Sequence, residues 1–346
     1  MVAIGAPMRV RAHERQSRAI VLAGIPVSIY TYSKRSLFNN EDLQDRARAV
    51  AGAREDTVIP ASFEYHRPTS LAEAVALLAD LGEEARALAG GHSLIPMMKL
   101  RLARPEHLVD LAGIGGLKDI RAEGGDIVIG AMTTQHEIAG SELLAARVPI
   151  LRETALLIAD PQVRYVGTLG GNVANGDPGN DMPAVMLCLG ASYLVAGKAG
   201  ERRIPAREFY RGAYVTALAP GEILTAVRIP APPPGHGAAY EKLKRKVGDY
   251  ATAAAAVVLT MQGGNVATCA IGLTNVADTP LLAEDAARIL VGSSLDAATV
   301  KRAVAAAEAI TSPASDTRGP VQYRTKMAGV MLARALARAR ERARGA

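Results

Sequence analysis

The most informative stretch of the sequence is Gly167-Thr168-Leu169-Gly170-Gly171-Asn172, and an earlier stretch, Ala89-Gly90-Gly91-His92-Ser93, is built in the same way. We predict an apolar strand before each Gly-Gly pair and a polar turn residue after it. Glycine lets the main chain approach a ligand closely, adopt positive φ and present its N–H groups. Two such segments suit the pyrophosphate of a dinucleotide, although the spacing is equally compatible with tight turns between strands.

Neither segment is a common nucleotide-binding motif. Neither is a G-x-G-x-x-G run that opens a Rossmann helix, and the sequence has no G-x-x-x-x-G-K-[ST] P-loop. A dinucleotide site here therefore has to be built differently from both of those folds.

The sequence around the two segments predicts an α+β fold. A capping box of Ser70 and Glu73 predicts a helix that ends at Gly82, and the strand at 85–88 leads into Ala89. Other strands are predicted at 63–65, 107–111, 127–130, 192–196 and 222–229, and helices at 134–138, 143–158 and 183–189. The last third predicts strands at 240–244, 251–260 and 266–273, then helices at 281–291, 295–310 and 321–342.

We predict three parts along the chain. Residues 58–234 form one domain with two subdomains, about 58–111 and 112–234, and prolines between 230 and 234 mark its end. Residues 235–346 form a C-terminal α+β domain with a three-stranded antiparallel sheet and helices. Residues 1–57 are arginine-rich without sustained periodicity, which favours a disordered leader or a start codon assigned too far upstream over a signal peptide or an ordered domain.

Composition excludes several classes of function. The net charge of +6 and a pI near 9.4 leave nucleic-acid binding open, but the basic residues are dispersed, and only three phenylalanines and no tryptophan are available for stacking. The two cysteines have no C-x-x-C spacing, and the six histidines show no helical metal-binding spacing, so we predict no metal site in this chain. No apolar run is long enough for a transmembrane helix.

Three motifs, in this order, resemble the FAD-binding subunits of molybdenum hydroxylases, the xanthine dehydrogenase group: residues 89–96, 129–134 and 167–172. Residues 174–183 and 240–253 are further similar to the medium subunits of aerobic carbon monoxide dehydrogenases. The resemblance extends from about Val58 to the C-terminus. It implies an FAD-binding fold of the vanillyl-alcohol-oxidase (PCMH) type, with FAD between the two subdomains.

The resemblance also implies which residues bind FAD. They are Ala89, Gly90, Gly91, His92, Ser93, Leu94, Ile95, Thr168, Leu169, Gly170, Gly171, Asn172, Asp181, Lys242 and Tyr250. Asp181 would contact the cofactor, Lys242 would lie near the flavin, and Tyr250 would stack against the isoalloxazine. Two of these three also have a structural interpretation: Asp181 as a helix N-cap before Pro183, and Tyr250 as a core residue.

The function implied by the resemblance is electron relay and not catalysis by this chain alone. A large subunit with a molybdenum and copper cofactor would oxidise CO with water, and a small subunit would carry [2Fe–2S] clusters. FAD on this chain would then pass electrons to a quinone or another acceptor. A cytoplasmic dimer of heterotrimers, with peripheral contact to the inner membrane face, is the implied assembly. The alternatives are a sister enzyme for aldehydes, purines or N-heterocycles, a free-standing flavin oxidase, or a structural or nucleic-acid-binding protein.

Overall fold

The computed structural model describes residues 59–343, so the predicted leader, residues 1–57, lies outside the described residues. The described chain mixes helices and strands, as the predicted α+β class requires. Its main sheets have three, five and four strands. No helix within residues 59–343 is long and apolar enough to span a membrane.

The first sheet is parallel. Its strands are β1 (Glu64–His66), β2 (Ala85–Leu88) and β3 (His107–Asp110), in the order β1-β3-β2. Helix α1 (Leu71–Leu81) buries Ala74, Val75 and Leu78, and the 3₁₀ helix Gly82–Glu84, helix α2 (Leu94–Lys99) and the 3₁₀ helix Leu111–Gly113 complete this part. Because the strands are parallel, the segments that follow β2 and β3 lie at the same edge of the sheet.

The start of α1 differs slightly from the predicted capping box. The Ser70 hydroxyl accepts a hydrogen bond from the Glu73 N–H, as predicted, at 3.2 Å. The Glu73 carboxylate instead accepts from the N–H of Thr69, at 2.9 Å. The cap therefore satisfies two backbone donors, but the second lies one residue earlier than the motif predicts.

The second sheet is antiparallel, in the order β4-β5-β10-β6-β7. Its strands are β4 (Ile120–Glu123), β5 (Asp126–Gly130), β6 (Ser192–Gly197), β7 (Gly200–Pro205) and β10 (Ile223–Pro230), with a small ribbon of β8 (Tyr210–Gly212) and β9 (Val215–Thr216) between β7 and β10. The edge strands β4 and β7 were not predicted, since both are short and rich in charged residues.

Seven helices accompany this sheet within the described residues. They are α3 (Gln135–Gly140), α4 (Glu142–Arg147), α5 (Pro149–Leu157), α6 (Pro161–Val166), α7 (Leu169–Ala174), α8 (Met182–Cys188) and α9 (Ala206–Phe209). The single helix predicted at 143–158 was wrong: α4 ends at Arg147, and Pro149 starts α5 in its first turn. Proline has no N–H to continue a helix but suits its first position.

The third sheet corrects another prediction, because it has four strands and not three. They are β11 (Gly237–Leu243), β12 (Ala253–Gln262), β13 (Asn265–Thr274) and the two-residue edge strand β14 (Leu281–Leu282), in that order. The segment from Leu281 was predicted as helical, but the helix α10 (Glu284–Leu290) starts three residues later. Helices α11 (Ala297–Ala309) and α12 (Val321–Arg342) follow.

Strand β12 explains why the third sheet packs closely on the rest of the molecule. Its residues 253–257 are fully buried. Ala254 and Ala256 belong to the core shared with the second sheet, whereas Ala253 and Ala255 belong to a second core that α12 covers. Alternate residues of a strand point to opposite faces, so small side chains on both faces let layers pack on each side.

Candidate functional site

A cleft of about 640 Å³ lies where the segments after β2, β5 and β11 meet the region of α6 and α7. This volume is typical of small-molecule and cofactor sites. All but two of the residues predicted to bind FAD line the cleft. The exceptions are Leu169, which is fully buried in the core, and Ile95, whose Cγ1 packs against Gly91.

The first glycine-rich segment, residues 89–93, offers main-chain donors. Within the described residues, no acceptor takes a hydrogen bond from the N–H of Gly90, Gly91, His92 or Ser93. Gly91 has a φ of 71°, a conformation that costs other residues roughly 1 to 2 kcal/mol. Consecutive N–H groups around a positive φ form an anion-binding concavity, so this segment suits a phosphate group.

The second glycine-rich segment, residues 167–172, corrects the sequence prediction. It does not follow a strand: Gly167 and Thr168 connect α6 to α7, and residues 169–172 are the first four residues of α7. Thr168 is the N-cap, and its hydroxyl accepts from the Gly171 N–H at 2.9 Å. The β-branched and aromatic residues Val163, Tyr165 and Val166 favour a strand in sequence. Pro161 and the Asp160 cap make the segment helical instead.

The N–H groups of this second segment are already used by the protein. The N–H groups of Leu169 and Gly170 donate to the carbonyls of Thr133 and Ala131, both at 2.8 Å. Asn172 donates its N–H to the carbonyl of Thr168 at 3.1 Å. The segment therefore contributes its position and its side chains to the cleft, and not a row of free main-chain donors.

Two glycines hold the segments against their neighbours. A Cβ on Gly90 would lie 2.4 Å from the carbonyl oxygen of Val166, and one on Gly170 would lie 2.5 Å from Cβ of Ala131. Both distances are well below van der Waals contact. These glycines are needed for close approach between chain segments, in contrast to Gly91, which is needed for its backbone conformation.

Three buried polar atoms at the cleft have no hydrogen-bond partner within the described residues. They are Oδ1 of Asn172, Nδ2 of Asn175 and Oε1 of Gln135. Such atoms cost about 1 to 3 kcal/mol each unless a ligand or water bonds to them. Together with the free N–H groups at 90–93, they provide donors and acceptors that a polar cofactor such as FAD can satisfy.

Asp181 and Lys242 form a buried ion pair that lines the cleft. Lys242 Nζ lies 2.7 Å from Asp181 Oδ2, and their side chains are only 1% and 5% exposed. The Tyr240 hydroxyl donates to the other carboxylate oxygen at 2.6 Å, and Lys242 also donates to the carbonyl of Leu157 at 3.3 Å. Burial raises the pKa of Asp181, and the Lys242 ammonium opposes that rise.

The alternative interpretation of Asp181 as a helix cap does not hold. Asp181 precedes α8, but its side chain makes no capping hydrogen bond. Its carboxylate is directed to Tyr240 and Lys242 instead. Asp181 therefore holds the Lys242 ammonium at the cleft instead of capping α8.

Tyr250 lies at the surface of the cleft and is 40% exposed, so it is not a core residue. Its ring packs against Gly179, where a Cβ would approach within 2.8 Å, and the Arg318 guanidinium lies 5.7 Å from the ring centre. Asp177 is close by and accepts hydrogen bonds from the Tyr214 hydroxyl at 3.0 Å and the Gly179 N–H at 2.8 Å. Burial raises the pKa of Asp177.

Comparison with known proteins agrees with this architecture. Residues 61–232 match the model of the FAD binding domain in molybdopterin dehydrogenase, and residues 238–339 match the CO dehydrogenase flavoprotein C-terminal domain. The chain is 69% identical over 287 residues to the carbon monoxide dehydrogenase medium chain of Afipia carboxidovorans. This alignment covers 83% of this chain and 100% of the relative. The chain belongs to the FAD-binding subunits of molybdopterin dehydrogenases.

Other members of this family support the assignment. The carbon monoxide dehydrogenase medium chain of Hydrogenophaga pseudoflava is 50% identical, covering 81% of this chain and 97% of the relative. The structure of reconstituted CO dehydrogenase from Oligotropha carboxidovorans superposes with a TM-score of 0.82, covering 82% of this chain and 99% of that one at 69% identity. Quinoline 2-oxidoreductase from Pseudomonas putida gives a TM-score of 0.78 at 36% identity, with the same coverage of both chains.

The sequence interpretation of this family member missed several cleft residues. Asn175 and Asn180 stand within the motif at 174–183, and Gln135 directly follows the motif at 129–134, so both motifs offered a signal. Tyr214 and Leu224 also line the cleft, but they lie far from every motif. Only the packing of β9 and β10 in the folded chain brings Tyr214 and Leu224 to the cleft.

Proposed function

We propose that this cleft binds FAD. The observation that carries the proposal is the meeting, in one cleft, of four free N–H groups at 90–93 with the unpaired Asn172 and Asn175 side chains. The N–H groups would bind the pyrophosphate, and the two amides would bind polar groups next to it. The residues proposed to line the bound cofactor are those named in the sequence analysis apart from Leu169 and Ile95, with Gln135 and Asn175 added.

When bound, FAD supplies the redox chemistry, accepting electrons from one partner and delivering them to the next. The residues of this chain hold the cofactor and set its surroundings. The Lys242 ammonium, held at the cleft by Asp181, would lie against the bound cofactor. The Tyr250 ring would cover part of the cleft and limit access of solvent to it.

We further propose that the chain is the medium subunit of an aerobic carbon monoxide dehydrogenase. The high identity to two carbon monoxide dehydrogenase medium chains supports this proposal. Its partners would be an iron–sulfur subunit and a molybdenum subunit in a dimer of heterotrimers, with a quinone or another compound as electron acceptor. On the family resemblance alone, the assembly would lie in the cytoplasm, in peripheral contact with the inner membrane face.

The test is to purify the complex through a tag on this chain, record its flavin absorbance and add CO without oxygen. We expect the flavin absorbance to bleach. Bound flavin that CO does not reduce, but that an aldehyde, purine or N-heterocycle does, would keep the relay function and assign the chain to a sister enzyme. A complex without bound flavin would contradict the FAD proposal itself.

A matched pair of variants connects flavin content to the first glycine-rich segment. Gly91→Ala forces a side chain into a positive φ and brings its Cβ to 3.1 Å from Ile95 Cγ1. Gly140→Ala is the control, because nothing lies within 4 Å of its Cβ. We expect Gly91→Ala to lower the FAD content of the purified complex and Gly140→Ala to retain it.

A further inference from the structure

Where β1 pairs with β3 in the parallel sheet, away from the cleft, two histidines and a glutamate form a compact cluster. His66 Nε2 lies 3.1 Å from His107 Nδ1, and Glu64 Oε2 lies 3.4 Å from His107 Nδ1 and 3.9 Å from His66 Nε2. Glu64 and His66 are two residues apart on β1, and Glu64 pairs with His107 in the register of β3. One side of a strand pair therefore presents all three groups.

These distances fit the coordination of a transition metal. Zn²⁺ bonds to histidine nitrogen and carboxylate oxygen at about 2.0 to 2.2 Å, so neighbouring ligand atoms of a tetrahedral site lie about 3.3 Å apart. The three separations in the cluster lie close to that value. Two imidazoles and one carboxylate are also a donor set that Zn²⁺ accepts, with water in the fourth position.

The charge around the cluster favours a cation. Glu84 and Glu106 each place a carboxylate oxygen within 4.8 Å of a ring nitrogen of His107. Within residues 59–343, no Lys or Arg forms an ion pair with these two carboxylates or with Glu64. Three carboxylates without a basic partner next to two imidazoles leave a local negative charge that a divalent ion would neutralise. Carboxylates beside a ligating histidine also stabilise its orientation.

We propose that Glu64, His66 and His107 form a binding site for Zn²⁺ or a chemically similar divalent transition metal. The ion would join the three-residue edge strand β1 to the central strand β3. The site is separate from the cleft, because His107 is the first residue of β3, whereas the glycine-rich segment follows the last residue of β2. A strand of four residues is about 10 Å long, so the start of β3 and the end of β2 lie about that far apart along the strand direction.

The test uses the full chain after chelator treatment, titrated with Zn²⁺ in competition with a chromophoric chelator. We expect one equivalent of Zn²⁺ to bind, and His66→Gln or His107→Gln to weaken binding at least tenfold. Glu64→Gln should also weaken it, and this side chain is 74% exposed, so its loss leaves folding intact. His136→Gln is the control, because His136 stacks on Tyr165, away from the cluster, and should change nothing.

A second measurement separates a built site from adventitious binding. Zn²⁺ should raise the melting temperature of the wild-type chain and of His136→Gln by clearly more than that of His107→Gln or Glu64→Gln, because stabilisation of the folded state falls as the affinity of the ligand falls. Absence of saturable binding in the wild type would overturn the proposal. Binding that Glu64→Gln and His107→Gln leave unchanged would overturn it as well, since the ion would then lie elsewhere.

Discussion

The two glycine-rich segments of the cleft both contain a Gly-Gly pair, but they contribute to the cleft in different ways. In residues 89–93 the N–H groups from Gly90 to Ser93 have no acceptor within the described chain. In residues 167–172 the corresponding groups donate to Thr133, Ala131 and Thr168. The first segment is prepared for a ligand, whereas the second is a structural clamp that presents side chains such as Asn172.

The comparison gives a general rule for this cleft. Groups that already have a partner in the protein should matter for stability, and groups without one should matter for the cofactor. The following variants test that rule, beginning with the largest expected effect.

The largest effect is expected for Lys242→Met, which removes one partner of the buried pair with Asp181. An uncompensated buried charge costs about 3 to 5 kcal/mol, so the free energy of unfolding should fall by that order even without FAD. Urea denaturation of the FAD-free chain would measure it. The double variant Asp181→Asn/Lys242→Met should recover part of the loss, and loss of FAD alone with unchanged stability would contradict the rule.

The next effect is expected for Gly170→Ala in the second segment. Its Cβ would lie 2.5 Å from Cβ of Ala131 and 2.7 Å from the Ala131 carbonyl oxygen. Overpacking of this kind costs about 1 to 3 kcal/mol, which should appear as a lower urea midpoint of the FAD-free chain. Gly140→Ala, in open space at the end of α3, is the control and should not lower the midpoint.

A smaller and different effect is expected for Asn172→Ala. The amide oxygen of Asn172 has no partner in the described chain, so its loss should not lower the stability of the FAD-free chain. FAD affinity should fall roughly tenfold, the equivalent of one hydrogen bond of about 1.4 kcal/mol. Equilibrium titration with FAD measures this. The matched variant Asn180→Ala removes an amide that donates to the Asn172 carbonyl at 2.7 Å, and it should lower stability.

The smallest effect concerns pH. Burial raises the pKa of Asp177 in the folded state, so the stability associated with this group is complete below the ordinary carboxyl pKa and is lost as pH rises through the raised value. Asp177→Asn should therefore flatten the dependence of stability on pH above about pH 4. Thermal melts of the FAD-free variant and wild type across that range would show it, and parallel curves would contradict the assignment.

Much of the fold could be predicted from local signals. The helix that starts after Ser70 has a capping residue and a periodic apolar face, and the strand at 253–262 has a long apolar run. The predicted helix at 143–158 was wrong where Pro149 divides it, which the sequence itself could have shown. Strands β4 and β7 had no comparable signal, because their charged side chains lie at exposed sheet edges and only pairing with a neighbour makes them strands.

The sequence by itself determined the α+β class, the positions of both Gly-Gly pairs and thirteen of the residues that line the cleft, because helix caps, strand runs and motifs are local in the chain. Only the tertiary structure decided which N–H groups remain free, since the acceptors for Leu169 and Gly170 lie more than thirty residues earlier, before α3. The tertiary structure alone also forms the cluster of Glu64, His66 and His107. His66 and His107 are 41 residues apart in sequence, and parallel pairing of β1 with β3 brings them together.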